Sequence, residues 1–234
     1  LIDEKMIDKL TKYDYAWFQV SIDGSREEIH DAIRGVKGAW KRAVKAASLV
    51  DEVGLPLVIA HTIVKQNAHY VSELVDLAYL LGAKEVLVGK FVYSGRAILN
   101  RDLLELTEQD QDTAFKVLAQ KSMEYSGRMN VSISAPTAFY LRLRVIEPSS
   151  VILIRPNGDV KIDCILPFKI GNCNKESLIK IWERIGKRAW QHPKILNYIS
   201  AIKKDVDLLR IKPRPYIDED VLLAPKTGRE ESFG

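Results

Sequence analysis

Apolar residues in the first part of the chain follow two alternating patterns. Runs at 17–22, 55–64 and 85–92 are rich in β-branched and aliphatic residues and predict buried strands. Between them, apolar residues recur at helical spacing over 39–53 and 71–81. Strands that alternate with helices in this way predict βαβ units with right-handed crossovers and a parallel sheet. We therefore expect an α/β fold that contains half of a β/α barrel.

A further helix and strand extend this pattern. Thr107, followed by Asp110 three residues later, predicts the N-terminal cap of a long helix. Residues 131–134 predict a short strand, and Pro136 ends it. We therefore place the barrel half over residues 1–135.

The pattern changes from residue 151 onward. Two apolar runs, 151–155 and 160–164, flank an Asn157-Gly158 pair, which predicts a β-hairpin with a tight turn. Asn174 is predicted to cap the helix that follows. We expect this hairpin and helix to form a small appendage over 136–203. Prolines and mixed charges after Lys203 predict a loosely ordered tail over 204–234.

Composition narrows the class of protein. The chain has 234 residues, of which 47% are hydrophobic and 28% charged, as expected for a globular protein with a substantial core. The net charge of +4 is mild and the charges are interspersed, so we expect no nucleic-acid partner. No apolar run approaches the roughly 18 residues that span a bilayer, so we expect no membrane partner and a cytoplasmic location. Two cysteines cannot form a disulfide framework.

Polar residues end two of the predicted strands. Ser21 and Asp23 follow the first strand, and His61 ends the second. In a parallel β/α barrel, residues at the carboxyl ends of the strands face the reaction site. From the spacing alone, the favoured interpretation is that Ser21 and Asp23 only stabilise the turn at Gly24, with Ser25 as the N-cap of the next helix.

Several short motifs occur over roughly residues 1–190. In chain order they are Ser21-Ile22-Asp23-Gly24, His30-Asp31, Arg34-Gly35, Thr62-Ile63-Val64-Lys65-Gln66-Asn67, Gly82-Ala83-Lys84-Glu85-Val86, Gly95-Arg96-Ala97, Pro156-Asn157-Gly158-Asp159-Val160, Cys164, Ile170-Gly171-Asn172 and Glu176-Ser177-Leu178-Ile179-Lys180-Ile181-Trp182. This series resembles the radical S-adenosylmethionine (radical SAM) superfamily, in particular its cofactor-maturation and peptide-modifying branch. The resemblance implies a partial radical SAM barrel followed by a SPASM-like extension.

The resemblance also implies cofactor contacts. Ser21 and Arg34 occupy motif positions that help to hold S-adenosylmethionine (SAM) in the family, and a guanidinium suits the carboxylate of SAM. We assign Asp23 and His61 to the same site, although a hydrogen-bonded core histidine is the commoner role. Gly89 lacks a side chain where adenosine would approach the strand.

One family motif does not occur in this sequence. The Cys-x3-Cys-x2-Cys loop, which binds the [4Fe-4S] cluster in the family, is absent. We therefore interpret the chain as the C-terminal part of a longer protein, whose upstream segment binds that cluster, and expect the chain alone to be inactive.

Cys164 and Cys173 are the candidate metal ligands. Cys164 falls at a position where SPASM extensions carry a ligand of an auxiliary cluster. A four-iron cluster needs about four thiolates, or three with an open site, and the extension supplies two. Either further ligands lie elsewhere in the full protein, or this extension has lost its cluster; we favour loss.

The resemblance implies a radical SAM enzyme that cleaves SAM reductively and modifies a peptide or a cofactor precursor. Its partners would be that substrate and a reductant such as ferredoxin or flavodoxin. Two alternatives stay open. One is a non-radical barrel lyase that uses Lys65 or Lys90 as its reactive amine, and the other is a degenerate barrel that acts as a binding or scaffold module.

Overall fold

The computed structural model describes residues 2–14, 17–149 and 151–223. These residues form two compact units. The first contains the chain up to Phe91 together with Arg101–Ser134, and the second contains Val92–Asn100 and the residues from Ala135 onward.

Helices occur in both units. In chain order they are α1 (Glu4–Leu10), α2 (Glu27–Arg34), α3 (Ala39–Glu52), α4 (Val71–Leu80), α5 (Arg96–Leu99), α6 (Arg101–Leu104), α7 (Glu108–Glu124), α8 (Thr137–Ile146), α9 (Leu178–Arg184) and α10 (Pro193–Ala201). Short 3-10 helices cover Ala68–Tyr70, Gly186–Gln191 and Asp205–Leu209. None of the helices in the described ranges is both long enough and apolar enough to cross a membrane.

The first unit is built on one parallel sheet. Its strands are β1 (Phe18–Ser21), β2 (Leu57–Thr62), β3 (Glu85–Gly89) and β4 (Asn130–Ile133), and they pair in the order β1-β2-β3-β4. Every pair is parallel. The predicted βαβ arrangement and the predicted α/β partial barrel are therefore confirmed.

The two faces of this sheet differ. Val20, Ile59, Val86 and Val131 stand in register on one face and are buried in a core that includes residues of α3, α4 and α7. Side chains alternate between the two faces along a strand, so Ser21 and its neighbours lie on the opposite face. There Gln19, Ser21 and Thr62 are exposed. The uncovered face is the inner face of the partial barrel.

The third strand is shorter than the sequence predicts. It ends at Gly89, whereas the apolar run continues to Val92. Its neighbour β4 ends at Ile133, and the Ser134 hydroxyl accepts the Lys90 N–H in place of a ladder carbonyl. Regular pairing therefore ends because the partner strand ends.

Two predicted helix caps are wrong, and one is confirmed. Arg26, not Ser25, is the N-cap residue of α2, and the Ser25 hydroxyl instead donates to Glu73 Oε2 over 3.0 Å. Ser177, not Asn174, caps α9. The Thr107 hydroxyl accepts the Asp110 N–H at the start of α7, as predicted.

The second unit contains two small sheets. Strands β5 (Leu153–Ile154), β6 (Asp159–Lys161) and β8 (Gly171–Asn172) form an antiparallel sheet in the order β5-β6-β8. Strand β7 (Phe168–Lys169) pairs in parallel with β9 (Val221–Leu222). The predicted hairpin is present, and Gly158 has a φ of +84° in its turn.

Part of the predicted tail is regular structure. Asp205–Leu209 forms a 3-10 helix, and the Asp205 carboxylate accepts the N–H groups of Thr137 and Ala138 at the start of α8. β9 lies in a sheet, and Asp220 just before it is buried against Lys161. The expectation of a loose tail is therefore wrong for these segments, because charged partners fix them. Residues 224–234, which belong to the same prediction, lie outside the described residues.

Candidate functional site

The carboxyl ends of β1, β2 and β3 bring two of the predicted site residues onto one face. Ser21 is in register with Ala60, and Gly89 is in register with Thr62, so Ser21 and Gly89 flank β2 on the inner face. Ser21 is exposed. A hydroxyl and a bare stretch of backbone therefore border the same uncovered surface.

Gly89 is not required by the packing of the protein. A Cβ added there would lie 3.7 Å from the His61 carbonyl, 3.9 Å from Thr62 Oγ1 and 4.0 Å from Ser134 Oγ, which are ordinary contacts. Its φ lies outside the left-handed region. The missing side chain thus leaves room beside the strand for another molecule.

Asp23 joins several elements at this end of the sheet. Its Oδ1 accepts the Thr62 N–H (2.9 Å), and its Oδ2 forms an ion pair with Arg34 Nη2 (2.6 Å). The Asp23 N–H donates to His30 Nδ1 (2.9 Å), and its carbonyl accepts from Asn67 Nδ2 (2.9 Å). Ile22, the residue after β1, donates its N–H to the Ala60 carbonyl of β2, and the Asp23 carboxylate then extends the contact between these strand ends by one residue.

Asn67 is a site-supporting residue that the sequence reasoning missed. The sequence places Asn67 in a motif and, by residue type, favours it as a helix cap, but its side chain caps no helix. Its Oδ1 accepts the Val64 N–H (2.8 Å), and its Nδ2 donates to the carbonyls of Asp23 and Thr62 (2.9 Å each). No local signal distinguishes this role, because the carbonyls it ties together belong to different strand ends.

Two histidines lie beside Asp23, and both are neutral in the fold. His30 accepts at Nδ1, so its proton is on Nε2, whereas His61 donates from Nδ1 to the Ile22 carbonyl (3.1 Å). Burial is the main cause that lowers the pKa of each below its ordinary value. Neither histidine therefore adds a positive charge to the Asp23 surroundings at neutral pH.

His61 is on the face opposite Ser21. It is in register with Val88, on the helix-covered side of the sheet, and is 2% exposed. Its Nε2 is buried and has no hydrogen-bond partner among the described residues. The expectation that His61 contacts the cofactor conflicts with this placement, since residue 61 alternates away from the inner face.

Arg34 is the last residue of α2, and the Nη2 end of its guanidinium is held in an ion pair. Its side chain is 41% exposed, and its only ion pair among the described residues is with Asp23, through Nη2. The rest of the guanidinium is available to a second acceptor. A planar fork of this kind suits a carboxylate.

The comparisons with known proteins bear on these residues directly. Residues 1–78, which include β1, β2, Asp23, Arg34 and Asn67, match the profile of the radical SAM superfamily. The match covers one third of the chain. The resemblance predicted from the motifs is thereby confirmed.

Relatives with established names extend the radical SAM match. A PqqA peptide cyclase of Granulibacter bethesdensis is 28% identical over 142 residues, which are 61% of this chain and 38% of that protein. A PqqA peptide cyclase of Methylocella silvestris is 33% identical over 109 residues, which are 47% of this chain and 29% of that protein. The chain thus spans well under half the length of these relatives.

Solved structures share the radical SAM fold over most of the chain. Streptococcus suis SuiB bound to its precursor peptide SuiA matches 96% of this chain and 57% of that chain, with a TM-score of 0.63 and 16% identity. Native anSMEcpe with bound AdoMet matches 81% of this chain and 56% of that chain, with a TM-score of 0.54 and 15% identity. At these identities the likeness establishes the fold.

Ser21 and Gly89 on the inner face, together with Arg34, carry groups that fit SAM as a ligand. Ser21 offers a hydroxyl, Arg34 offers unused guanidinium N–H groups, and Gly89 leaves space beside the strand. These features match a ligand with polar hydroxyls, a carboxylate and a flat base. Asp23 offers little of its carboxylate to a ligand, because the side chain is only 5% exposed and both oxygens already accept a bond.

The cysteines do not fit a radical SAM auxiliary cluster. Cys164 and Cys173 are both free, and in the described ranges no group of three or more histidine, cysteine or acidic side chains is placed to hold a metal ion. A four-iron cluster needs about three or four thiolates, so the two cysteines of this sequence do not supply its ligands.

The lysines of the lyase alternative are poorly placed for it. Lys90 Nζ lies 4.6 Å from the centre of the Phe115 ring of α7, which is on the helix-covered side of the sheet. Lys65 is exposed in the segment after β2. Lys90 is half-buried and Lys65 is exposed, so neither amine has the desolvated setting typical of Schiff-base chemistry.

Proposed function

We propose that this chain is part of a radical SAM enzyme that modifies a peptide by radical chemistry. The observation that carries the proposal is the inner face of β1–β3, where Ser21 and Gly89 border the same open surface, together with the unbonded part of the Arg34 guanidinium. Ser21 and Arg34 lie within the residues that match the radical SAM superfamily. The relatives named PqqA peptide cyclase and the fold shared with SuiB, whose structure holds a precursor peptide, support a peptide as substrate.

The chain supplies one wall of the site. In this proposal the Arg34 guanidinium binds the SAM carboxylate, the Ser21 hydroxyl donates to a SAM oxygen, and the adenosine lies beside Gly89. When bound, SAM and a [4Fe-4S] cluster would supply the radical chemistry that acts on the substrate, and the cysteine loop that holds this cluster in the family does not occur in this sequence. The protein positions the reactants and excludes water.

The second unit is proposed to be a SPASM-like extension that seats the substrate without an auxiliary cluster. The shared fold with SuiB over 96% of the chain includes this unit. Its interior is held by ion pairs, of which Lys161–Asp220 is the most buried among the described residues. A cofactor precursor is the second substrate class that we propose. A reductant such as ferredoxin or flavodoxin would supply the electron. We also propose a cytoplasmic location.

Anaerobic reconstitution of the full-length protein with iron and sulfide tests the proposal. We expect reduced protein to convert SAM into 5′-deoxyadenosine and methionine, with turnover increased by the peptide substrate. Arg34→Ala in the full-length protein is the matched variant, because it removes the proposed carboxylate contact on an exposed side chain. A reconstituted protein with an intact cluster that neither binds SAM nor forms 5′-deoxyadenosine would contradict the proposal.

A further inference from the structure

We propose that Asp23 is a positioning residue, which holds Arg34 in the orientation that receives the SAM carboxylate and does not itself contact SAM. This inference rests on the proposed function and deepens it. It replaces the expectation, drawn from the sequence, that Asp23 contacts the cofactor directly.

The first observation is that Asp23 has no free polar atom. Its backbone N–H and carbonyl are bonded to His30 and Asn67, and its two carboxylate oxygens are bonded to Thr62 N–H and Arg34. The side chain is only 5% exposed. Little of this side chain is therefore open to a ligand on the inner face, and a new bond to the carboxylate would compete with the Thr62 and Arg34 contacts.

The second observation is that the Asp23 charge acts on one cation. His30 and His61, which also lie beside Asp23, are neutral at pH 7 because burial lowers the pKa of both. The Arg34 guanidinium is the group that forms an ion pair with the Asp23 carboxylate. The buried Asp23 carboxylate therefore has its charge–charge attraction with the Arg34 guanidinium.

The third observation is the position of Arg34 on its helix. Arg34 is the last residue of α2, and Gly35 follows it in a left-handed conformation. An arginine side chain at such an end has many rotamers, so fixing it costs conformational entropy when a ligand binds. The Asp23 ion pair orders the Arg34 side chain before the ligand binds, so less conformational entropy is lost on binding. This effect is preorganisation.

A double-mutant cycle in the full-length, reconstituted protein tests this role. The variants are Asp23→Asn, Arg34→Ala and the two combined, and the measurement is the dissociation constant for SAM by anaerobic equilibrium dialysis. We expect Asp23→Asn to weaken binding about tenfold, because an amide no longer orients Arg34. In the Arg34→Ala background the same change is expected to have no further effect on SAM binding.

Glu28→Gln is the matched control. Glu28 is an exposed residue of the same helix, so the change removes one negative charge from α2 with no contact to Asp23 or Arg34 in the described structure. We expect its SAM affinity to equal that of the wild type. Thermal unfolding of each variant without SAM separates a loss of fold from a loss of binding.

Two results would overturn the inference. One is that Asp23→Asn weakens SAM binding by the same factor in the wild-type background and in the Arg34→Ala background. The other needs no variant: a crystal structure of the full-length protein with SAM in which an Asp23 carboxylate oxygen lies within hydrogen-bond distance of SAM. Wild-type protein that binds no SAM refutes the proposed function as well, whereas additive losses in a protein that binds SAM refute only this inference.

Discussion

The buried ion pair of the second unit gives a prediction whose size follows from the geometry. Lys161 is fully buried, and its Nζ donates to both oxygens of Asp220, at 2.9 and 3.0 Å. Arg155 Nη1 adds a third bond to this carboxylate, at 2.8 Å. Asp220 lies directly before β9, so the pair ties the end of the described chain to the hairpin strand β6.

Asp220→Ala leaves the Lys161 ammonium buried without its carboxylate. Removing one partner of a buried pair typically costs about 3–5 kcal/mol, and Arg155, which is one-third exposed, is free to turn towards water. Since about 1.4 kcal/mol corresponds to a factor of ten, local opening of β9 should become about two to four orders of magnitude more frequent.

Amide hydrogen exchange measures this opening. The N–H groups of Val221 and Leu223 donate to the carbonyls of Pro167 and Lys169, so their exchange rates report the pairing of β7 with β9. We expect the combined variant Lys161→Met/Asp220→Ala to regain most of the protection, because an apolar replacement removes the buried charge.

The exposed pair Arg26–Glu73 provides the matched control. Its side chains are 53% and 45% exposed, so Glu73→Ala should cost only about 0.2–1 kcal/mol, measured at the amides of α4. Less than a tenfold rise in exchange for Asp220→Ala, or a combined variant no better protected than the single one, would refute the reasoning.

Two further predictions concern the first unit. Gly24→Ala should destabilise it by about 1–3 kcal/mol in a thermal melt, because the new methyl would lie 2.6 Å from the backbone nitrogen of His30. Gly89→Ala should unfold at the wild-type temperature, because its methyl makes only ordinary contacts, and should bind SAM more weakly in equilibrium dialysis. Stability should also fall as the pH drops below about 6.5, since the lowered pKa values of His30 and His61 mean that the unfolded chain binds more protons than the fold. The melting temperature of the wild type should fall between pH 7.5 and 5.5. If that of the His30→Gln variant stays constant over the same range, the effect belongs to His30. A wild-type melting temperature that does not fall would contradict the prediction.

The caps show where local sequence stops being informative. Ser25 and Arg26 are adjacent candidates for the start of α2, and Ser25 is the better cap by residue type. Its hydroxyl is instead bonded to Glu73, a residue 48 positions away. Asn174 and Ser177 pose the same choice at α9. Neighbouring polar residues compete for the same role, and distant partners decide the competition.

The site residues divide along the same line. Ser21 and Gly89 lie on one face because the alternation of a strand and the parallel register are properties that a sequence pattern carries. His61, one residue from that face, follows the same rule and lies on the other side. No periodic sequence pattern predicts the ion pair of Asp23 with Arg34 or the hydrogen bonds that Asn67 makes to two strand ends.

By itself the sequence determined the parallel α/β sheet, its strand order along the chain, the hairpin and the radical SAM motifs, because all of these depend on local periodicity, turn chemistry and short-range order. Only the tertiary structure decided that Asp23 is fully bonded, that His61 is buried behind the sheet, and that Lys161 meets Asp220 across 59 residues. Such contacts form between groups that are distant in sequence, and their energies come from burial and charge, which exist only once the chain has folded.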